Sequence, residues 1–472
     1  MAKEPVLVLQ MQRMGDLILS FPLFLWLKRA YPGRELHVVA EEAFFTPLMP
    51  LSPGVTYITW PAAEAGALSG TRYRLIVNLS IREEAARLAG SLEADIKVGP
   101  VRGGDGALRI LGNWQLYRAS LAGGGRHNRF HWADLNGLDV VSLKVPRLTF
   151  FDPPRQPAPD NGTVGLFVGA SEPGKRPEPR FYAGLARALL ERGLKPVLLG
   201  GPADVPLAQE AKRASGLPLA DLTGQLSLAE LTEFGRTLAL MVTPDTGPMH
   251  LAAWTGLPTI NLSVGHVNPW DTAPYQPGHL VVRSSASCAP GCWGCRQKSM
   301  LCLRGVDPAP VAALAALALS GQRTRLERLK LPGLDLYETA RTEEGLFTLR
   351  RLGPQGAPGA AELAGEFWRR VFLWRLAGEP REPARQAWEA LAAAWPKLAA
   401  KLRASLPELS RAVARLGREG AAAPNAASHA GLAPFWSLPA SFLEMSGLNA
   451  DAAPAWARQG LEFVEGLAVL TR

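Results

Sequence analysis

The sequence has no apolar run long enough to cross a bilayer. Its longest apolar stretch, Leu17 to Leu27, is about half of the ~20 residues that a spanning helix requires, and Pro22 interrupts it. Met1-Ala2-Lys3-Glu4-Pro5 leads straight into Val6-Leu7-Val8-Leu9, which reads as a strand and not as the core of a leader. Cysteine is scarce. All four cysteines fall between positions 288 and 302, which excludes a disulfide framework spread over the chain. Together these absences predict a cytoplasmic protein, either free or at the inner face of the cytoplasmic membrane. Charged residues are only 20% against 47% hydrophobic, which excludes a disordered chain. The length of 472 residues allows two or three domains with their own cores. The formal net charge of +9 favours anionic partners: nucleotide phosphates, nucleic acid or an acidic membrane surface. It does not choose among them, and a generally basic proteome would give the same balance.

Short apolar runs separated by helical patterns are what the chain does have. Val6–Leu9, Leu36–Ala40 and Leu75–Asn78 read as strands buried on both faces, the signature of a parallel sheet. The Gly-rich stretch Gly103 to Gly125 reads as loop and helix near a cleft. Residues 152–160 hold four prolines in nine, a stiff segment unfit for a sheet interior. The strand–helix alternation restarts at Thr163–Val168 and continues through Pro196–Leu199, Leu238–Thr243 and Thr259–Leu262. Ser227-Leu228-Ala229-Glu230 has capping-box spacing. The expected organisation is therefore a Rossmann-like unit over 1–151, a linker over 152–162, a second Rossmann-like unit over 163–329 and a helical extension over 330–472. In that extension Ala, Leu, Arg and Trp dominate. Its Trp368, Trp374, Trp388 and Trp395 suit either a core or a membrane-facing surface, and aromatics at helical spacing are more often core.

Four segments carry chemistry. Gln12-Arg13-Met14-Gly15-Asp16 follows the first strand and opens a helix. Gly15 permits close approach of another molecule, and Asp16 over a cleft is placed to take a proton from a hydroxyl; capping of the helix by Asp16 is the competing reading. Thr243-Pro244-Asp245-Thr246-Gly247-Pro248-Met249-His250 lies between a strand and a helix, where backbone amides and the helix dipole attract an anion. An ordinary capped turn would look similar. Gly169-Ala170-Ser171-Glu172-Pro173-Gly174-Lys175-Arg176 offers Lys175 to neutralise a leaving diphosphate, although a lone loop lysine is usually solvated. Cys288-x3-Cys292-x2-Cys295-x6-Cys302 allows three readings: metal-free thiols, a tetrahedral zinc site, or an iron–sulfur cluster. The last needs the motif on an early barrel loop, and here it comes late.

Taken together, Arg13-Met14-Gly15-Asp16-Leu17-Ile18, Asp245-Thr246-Gly247-Pro248-Met249-His250-Leu251-Ala252-Ala253 and Pro269-Trp270-Asp271-Thr272-Ala273-Pro274-Tyr275 resemble glycosyltransferase family 9, the lipopolysaccharide heptosyltransferases, over residues 5 to 322. The resemblance implies a GT-B fold and inverting transfer from a nucleotide diphosphate sugar, by default ADP-heptose, with no obligatory cofactor or metal and no nucleic acid partner. The implied acceptor is an acidic, lipid-linked glycan of the lipopolysaccharide core, with peripheral membrane association. Asp16 matches the catalytic base and Lys175 the lysine on the donor phosphates, with a shift to Arg176 left open. Gly15, Ser171, Asp245, Thr246, Gly247, Pro248, Met249 and His250 are then expected around the donor, and Asp221 at its ribose, where a short Asp also caps turns well. The cysteines become a structural family feature. Two rival functions remain: a non-catalytic sugar-nucleotide or glycan binder on this fold, and a metal-dependent enzyme built on the cysteines.

Overall fold

A computed structural model describes residues 3–149, 161–286, 288, 295, 297–353, 358–419, 432–450 and 454–472. The proline-rich segment and Cys292 lie outside these residues.

The first sheet contains β1 (Val6–Leu9), β2 (Leu36–Ala40), β3 (Thr56–Thr59), β4 (Tyr73–Asn78), β5 (Ala94–Arg102) and β6 (Leu108–Leu111). Their order is β3-β2-β1-β4-β5-β6, parallel throughout except that β6 runs antiparallel to β5. Val6, Leu7, Val8 and Leu9 are all buried, because helices cover both faces of this central strand. The expected strand at Leu75–Asn78 is thus real and begins two residues earlier.

The second sheet contains β7 (Thr163–Phe167), β8 (Lys195–Leu199), β9 (Ala220–Asp221), β10 (Leu240–Pro244), β11 (Thr259–Ser263), β12 (Leu280–Ser284), β13 (Leu334–Arg341) and β14 (Phe347–Leu352). Its order is β14-β13-β12-β11-β10-β7-β8-β9, with β13 and β14 antiparallel. Between β9 and β10, Ser227 and Glu230 form the capping box that their spacing predicts. The expectation of helices alone from residue 330 is corrected here. The β13–β14 hairpin closes the otherwise open edge of β12 and is covered on both faces: Leu334, Leu336 and Leu352 pack into one core, and Tyr337, Phe347 and Leu349 into another on the opposite side.

Helices Ala360–Ala377, Glu382–Ala394, Pro396–Glu419, Ser437–Asn449 and Pro454–Leu470 follow. They pack on helix Asn113–Gly124 of the first unit and share one core with it, in which Trp114 and Tyr117 meet Trp368, Phe372, Trp388, Phe435 and Phe463. Trp368 and Trp388 are therefore core residues, and only Trp395 of the four is substantially exposed. Among the described residues no helix is long and apolar enough to cross a membrane.

The architecture is α/β: two Rossmann-like units facing a cleft, with a helical extension, the GT-B arrangement. The units touch directly. Helix Met14–Ile18 packs against helix Gly247–Trp254, and a β carbon on Gly247 would lie 2.4 Å from Met14 Cε. Glycine at that point lets the two backbones approach. On the flank of the cleft, Arg129 is buried with its guanidinium 3.9 Å from the centre of the Trp270 ring. It also donates to the Ala361 carbonyl of the extension.

Candidate active site

A cavity of about 900 Å³ opens between the units. Its walls come from the segments that follow β1, β4, β7, β10 and β11, from Pro100 of β5 and Ile110 of β6, and from helix Asn113–Gly124 and Trp132. In each sheet the order of connection reverses beside the first strand, at β1/β4 and at β7/β10. Loops diverge at such a switch point and leave a crevice outside the carboxyl ends of the strands. The chain folds two crevices toward each other, and helix Asn113–Gly124 closes one flank of the cavity between them.

Gly15, Asp16, Ser171, Lys175, Asp245, Thr246, Gly247 and His250 all line it. Arg176, Asp221, Pro248 and Met249 do not. Asp221 sits at the tip of edge strand β9, where its carboxylate accepts from the Thr223 amide at 3.0 Å and faces Lys212 at 3.7 Å. Met249 is buried on the opposite side of its helix, and Pro248 occupies the first helical turn, where a missing N–H costs nothing. Arg176 is half-buried beside Lys175.

Asp16 occupies the first turn of helix Met14–Ile18 and reaches back to the Arg13 amide, so it does perform some local capping. Burial raises its carboxyl above the usual range, while the nearby charges of Arg118, Arg13 and Lys175 pull it back down. The result is a carboxylate that is more basic than a solvated one yet held among three cations. Asp245 faces it across the cleft. Burial raises Asp245 to about 6, against the attraction of Lys175 and a hydrogen bond from Thr272 Oγ1 at 3.1 Å. His250 is held neutral: burial, with Lys175 adding to it, lowers its pKa to about 3. Lys175 lies 3.7 Å from Glu172, which also faces His266 at 3.8 Å. Asp271, fully buried at the cavity edge, accepts from Asn128 Nδ2 at 2.7 Å, and burial pushes it up to about 8.

Several further residues line the cavity without belonging to a motif that names them. Arg118 projects from helix Asn113–Gly124 beside Asp16, its pKa lowered by burial and raised by that carboxylate. Arg118 also lies 5.3 Å from the centre of the Trp132 ring. Helix Asn113–Gly124 shows no motif, so only its position near a Gly-rich stretch hinted at a cleft. Thr272 and Asp271 stand inside the quoted proline-aromatic segment, and their polarity amid apolar neighbours is the signal that could have singled them out.

Cys288 is half-buried, Cys295 exposed and Cys302 buried. Among the described residues no group of three or more His, Cys, Asp or Glu could hold a metal ion.

A family profile described as glycosyltransferase family 9 (heptosyltransferase) matches residues 145–300. That span includes Lys175 and the Asp245–His250 turn. The chain is 27% identical to lipooligosaccharide heptosyltransferase 2 of Haemophilus influenzae over 316 residues, covering 59% of this chain and 88% of that protein. It is 26% identical to lipopolysaccharide heptosyltransferase 3 of Escherichia coli over 289 residues, covering 54% of this chain and 83% of that one. The solved structure of the E. coli ADP-heptose lipopolysaccharide heptosyltransferase II matches with a TM-score of 0.49 at 21% identity, over 67% of this chain and 99% of that chain.

Proposed function

We propose that this chain, which belongs to glycosyltransferase family 9, moves a heptose from ADP-heptose to a glycan acceptor of the lipopolysaccharide core with inversion at the anomeric carbon. The observation that carries the reading is the single cavity in which Asp16 faces Lys175 and the Asp245–His250 turn.

In this mechanism the acceptor hydroxyl lies against Asp16. As its oxygen attacks the anomeric carbon from the face opposite the leaving group, Asp16 takes the hydroxyl proton. The bond from the anomeric carbon to the diphosphate oxygen breaks in the same step. The departing negative charge is met by Lys175 and by the amino end of helix Gly247–Trp254. Neutral His250 contributes a hydrogen bond without adding charge, and Asp245 is placed for a sugar hydroxyl. Charge neutralisation by Lys175 needs no metal, and the basic surface suits an acidic acceptor.

The test is transfer by the purified chain from ADP-heptose to a heptose- or Kdo-terminated core oligosaccharide, beside thermal-shift screening with ADP-, GDP-, UDP- and dTDP-sugars. Asp16→Ala should lower turnover by roughly 10²–10⁴-fold, the usual contribution of a general base, and leave donor binding nearly intact. Wild-type turnover in that variant removes Asp16 from the role, and no shift with any sugar nucleotide removes the reading.

A further inference from the structure

Arg129 sits where three parts of the chain meet. It follows helix Asn113–Gly124 in the first unit and is buried. Its guanidinium covers the Trp270 ring of the second unit, which Tyr337 of β13 meets in a T-shaped contact at 5.4 Å. Nη1 donates to the Asn128 carbonyl at 2.8 Å and Nη2 to the Ala361 carbonyl at 3.0 Å. In helix Ala360–Ala377 a β carbon on Gly365 would overlap the guanidinium, so glycine there leaves the notch that the cation fills. Burial lowers the pKa of Arg129 to about 10, and the carboxylates that attract it, Glu362 and Glu366, pair instead with Arg351 and Arg369. A buried cation without a carboxylate of its own is held only by fixed carbonyls and an aromatic face. Any shift of those neighbours leaves the charge unsolvated, so the group holds them to one geometry.

These neighbours lead to the donor half of the cavity. Trp270 belongs to the segment after β11. Asn268 Nδ2 donates to the Gly125 and Asn128 carbonyls, both at 3.1 Å, and Asn128 Nδ2 donates to Asp271 Oδ1. The segment is thus tied at three positions to the turn that carries Arg129. Its next residue, Thr272, gives the hydrogen bond that holds Asp245. Thr272 and Asp245 line the cavity, whereas Arg129 does not.

We infer that Arg129 is a positioning residue for the transfer: wedged against Gly365 and Trp270, it fixes residues 268–272 so that Thr272 aims Asp245 at the transferred sugar. The helical extension acts on the donor half of the site through this one side chain. The inference deepens the proposed function and rests on it for the sugar at Asp245.

Two variants of the full chain test it. Gly365→Ala displaces the guanidinium without deleting it, and alanine favours the helix that it enters. Arg129→Met removes the charge and keeps an unbranched side chain. Calorimetry gives the affinities for ADP and for ADP-heptose, and amide hydrogen exchange follows residues 264–277 against β8 as a control. Both variants should lower the ratio of ADP-heptose to ADP affinity roughly tenfold, the value of one hydrogen bond to a charged group. Binding of ADP itself should hold, because Lys175 and the amino end of helix Gly247–Trp254 are untouched. Exchange should rise over 264–277 and not in β8. A general loss of stability would weaken both ligands by the same factor, and that result overturns the inference, as does native exchange over 264–277 in both variants. A response to Arg129→Met but not to Gly365→Ala overturns the part assigned to the extension. A native chain that binds ADP and ADP-heptose equally counts against the proposed function alone, and the exchange over 264–277 still decides whether Arg129 holds the segment.

Discussion

The Tyr275 hydroxyl donates to Asp134 Oδ1 at 2.6 Å, joining the loop after β11 to the first unit deep beside the cleft. The same carboxylate accepts from the Phe347 amide of the hairpin at 2.9 Å, and Arg341 donates to the Tyr275 oxygen at 2.8 Å. One buried acid therefore ties the first unit, the second unit and the hairpin together. Tyr275→Phe removes a donor from it and keeps the ring. The expected loss is about 1–3 kcal/mol of stability, the cost of an unsatisfied buried acceptor, read as a lowered melting temperature. A variant that melts with the native chain would show that the junction carries no such load.

Lys175→Ala should weaken binding of ADP by about 1.5–3 kcal/mol, roughly tenfold to hundredfold, the range for hydrogen bonds to charged groups. Titration calorimetry measures it directly. The loop around Lys175 is Pro- and Gly-rich, and Arg176 follows immediately. If Arg176→Ala weakens ADP more than Lys175→Ala does, the phosphate ligand is the arginine.

Asp271 predicts a pH dependence of stability. Its carboxyl ionises near 3.8 when unfolded and near 8 when folded, because burial disfavours the charge. Between those values the folded chain keeps a proton that the unfolded chain has released, so this group's contribution falls as pH rises from about 4 to about 8. A neutral acid still accepts from Asn128 through its carbonyl oxygen. Asp271→Asn abolishes the titration, so the variant should gain on the native chain as pH increases across that window. Parallel melting curves from pH 5 to pH 8 would remove Asp271 as the source.

Trp368 stands in the centre of the core that the extension shares with helix Asn113–Gly124. Trp368→Ala should cost about 3–5 kcal/mol, the usual range for a large buried aromatic. The diagnostic readout is turnover at a temperature where the variant is still folded. Arg118 rides on the supported helix, so activity should fall before unfolding does. Loss of stability with full activity up to the melting point would uncouple the extension from the cleft.

Local patterns made the site's two poles legible in the sequence. Asp16 and Asp245 each sit in a βα turn, where a few consecutive residues fix both the backbone and the side-chain direction. The proline-aromatic segment was equally visible as a motif, but the depth of Asp271 was not, because Asn128 reaches it from 143 positions away. Arg118 was hidden for the same reason: a helix residue acquires its neighbour only when the fold brings helix Asn113–Gly124 beside the turn that carries Asp16. Averaging over residues 330–472 hid the hairpin. The Ala-rich helices outweigh fourteen strand residues in any composition, and only the alternation in Leu334–Arg341 and Phe347–Leu352 reveals them.

Asn449, at the end of helix Ser437–Asn449, holds edge strand β6 by both backbone groups of one residue, accepting from the Ile110 amide at 2.8 Å and donating to the Ile110 carbonyl at 2.5 Å. A side chain here takes the place of a further strand, and it comes from 339 positions away along the chain. This defines what can be exchanged when chimeras are built with shorter relatives. The amino-terminal unit and helix Ser437–Asn449 belong together, and a crossover that separates them strips the outer edge of β6 of the Asn449 side chain and bares Trp114.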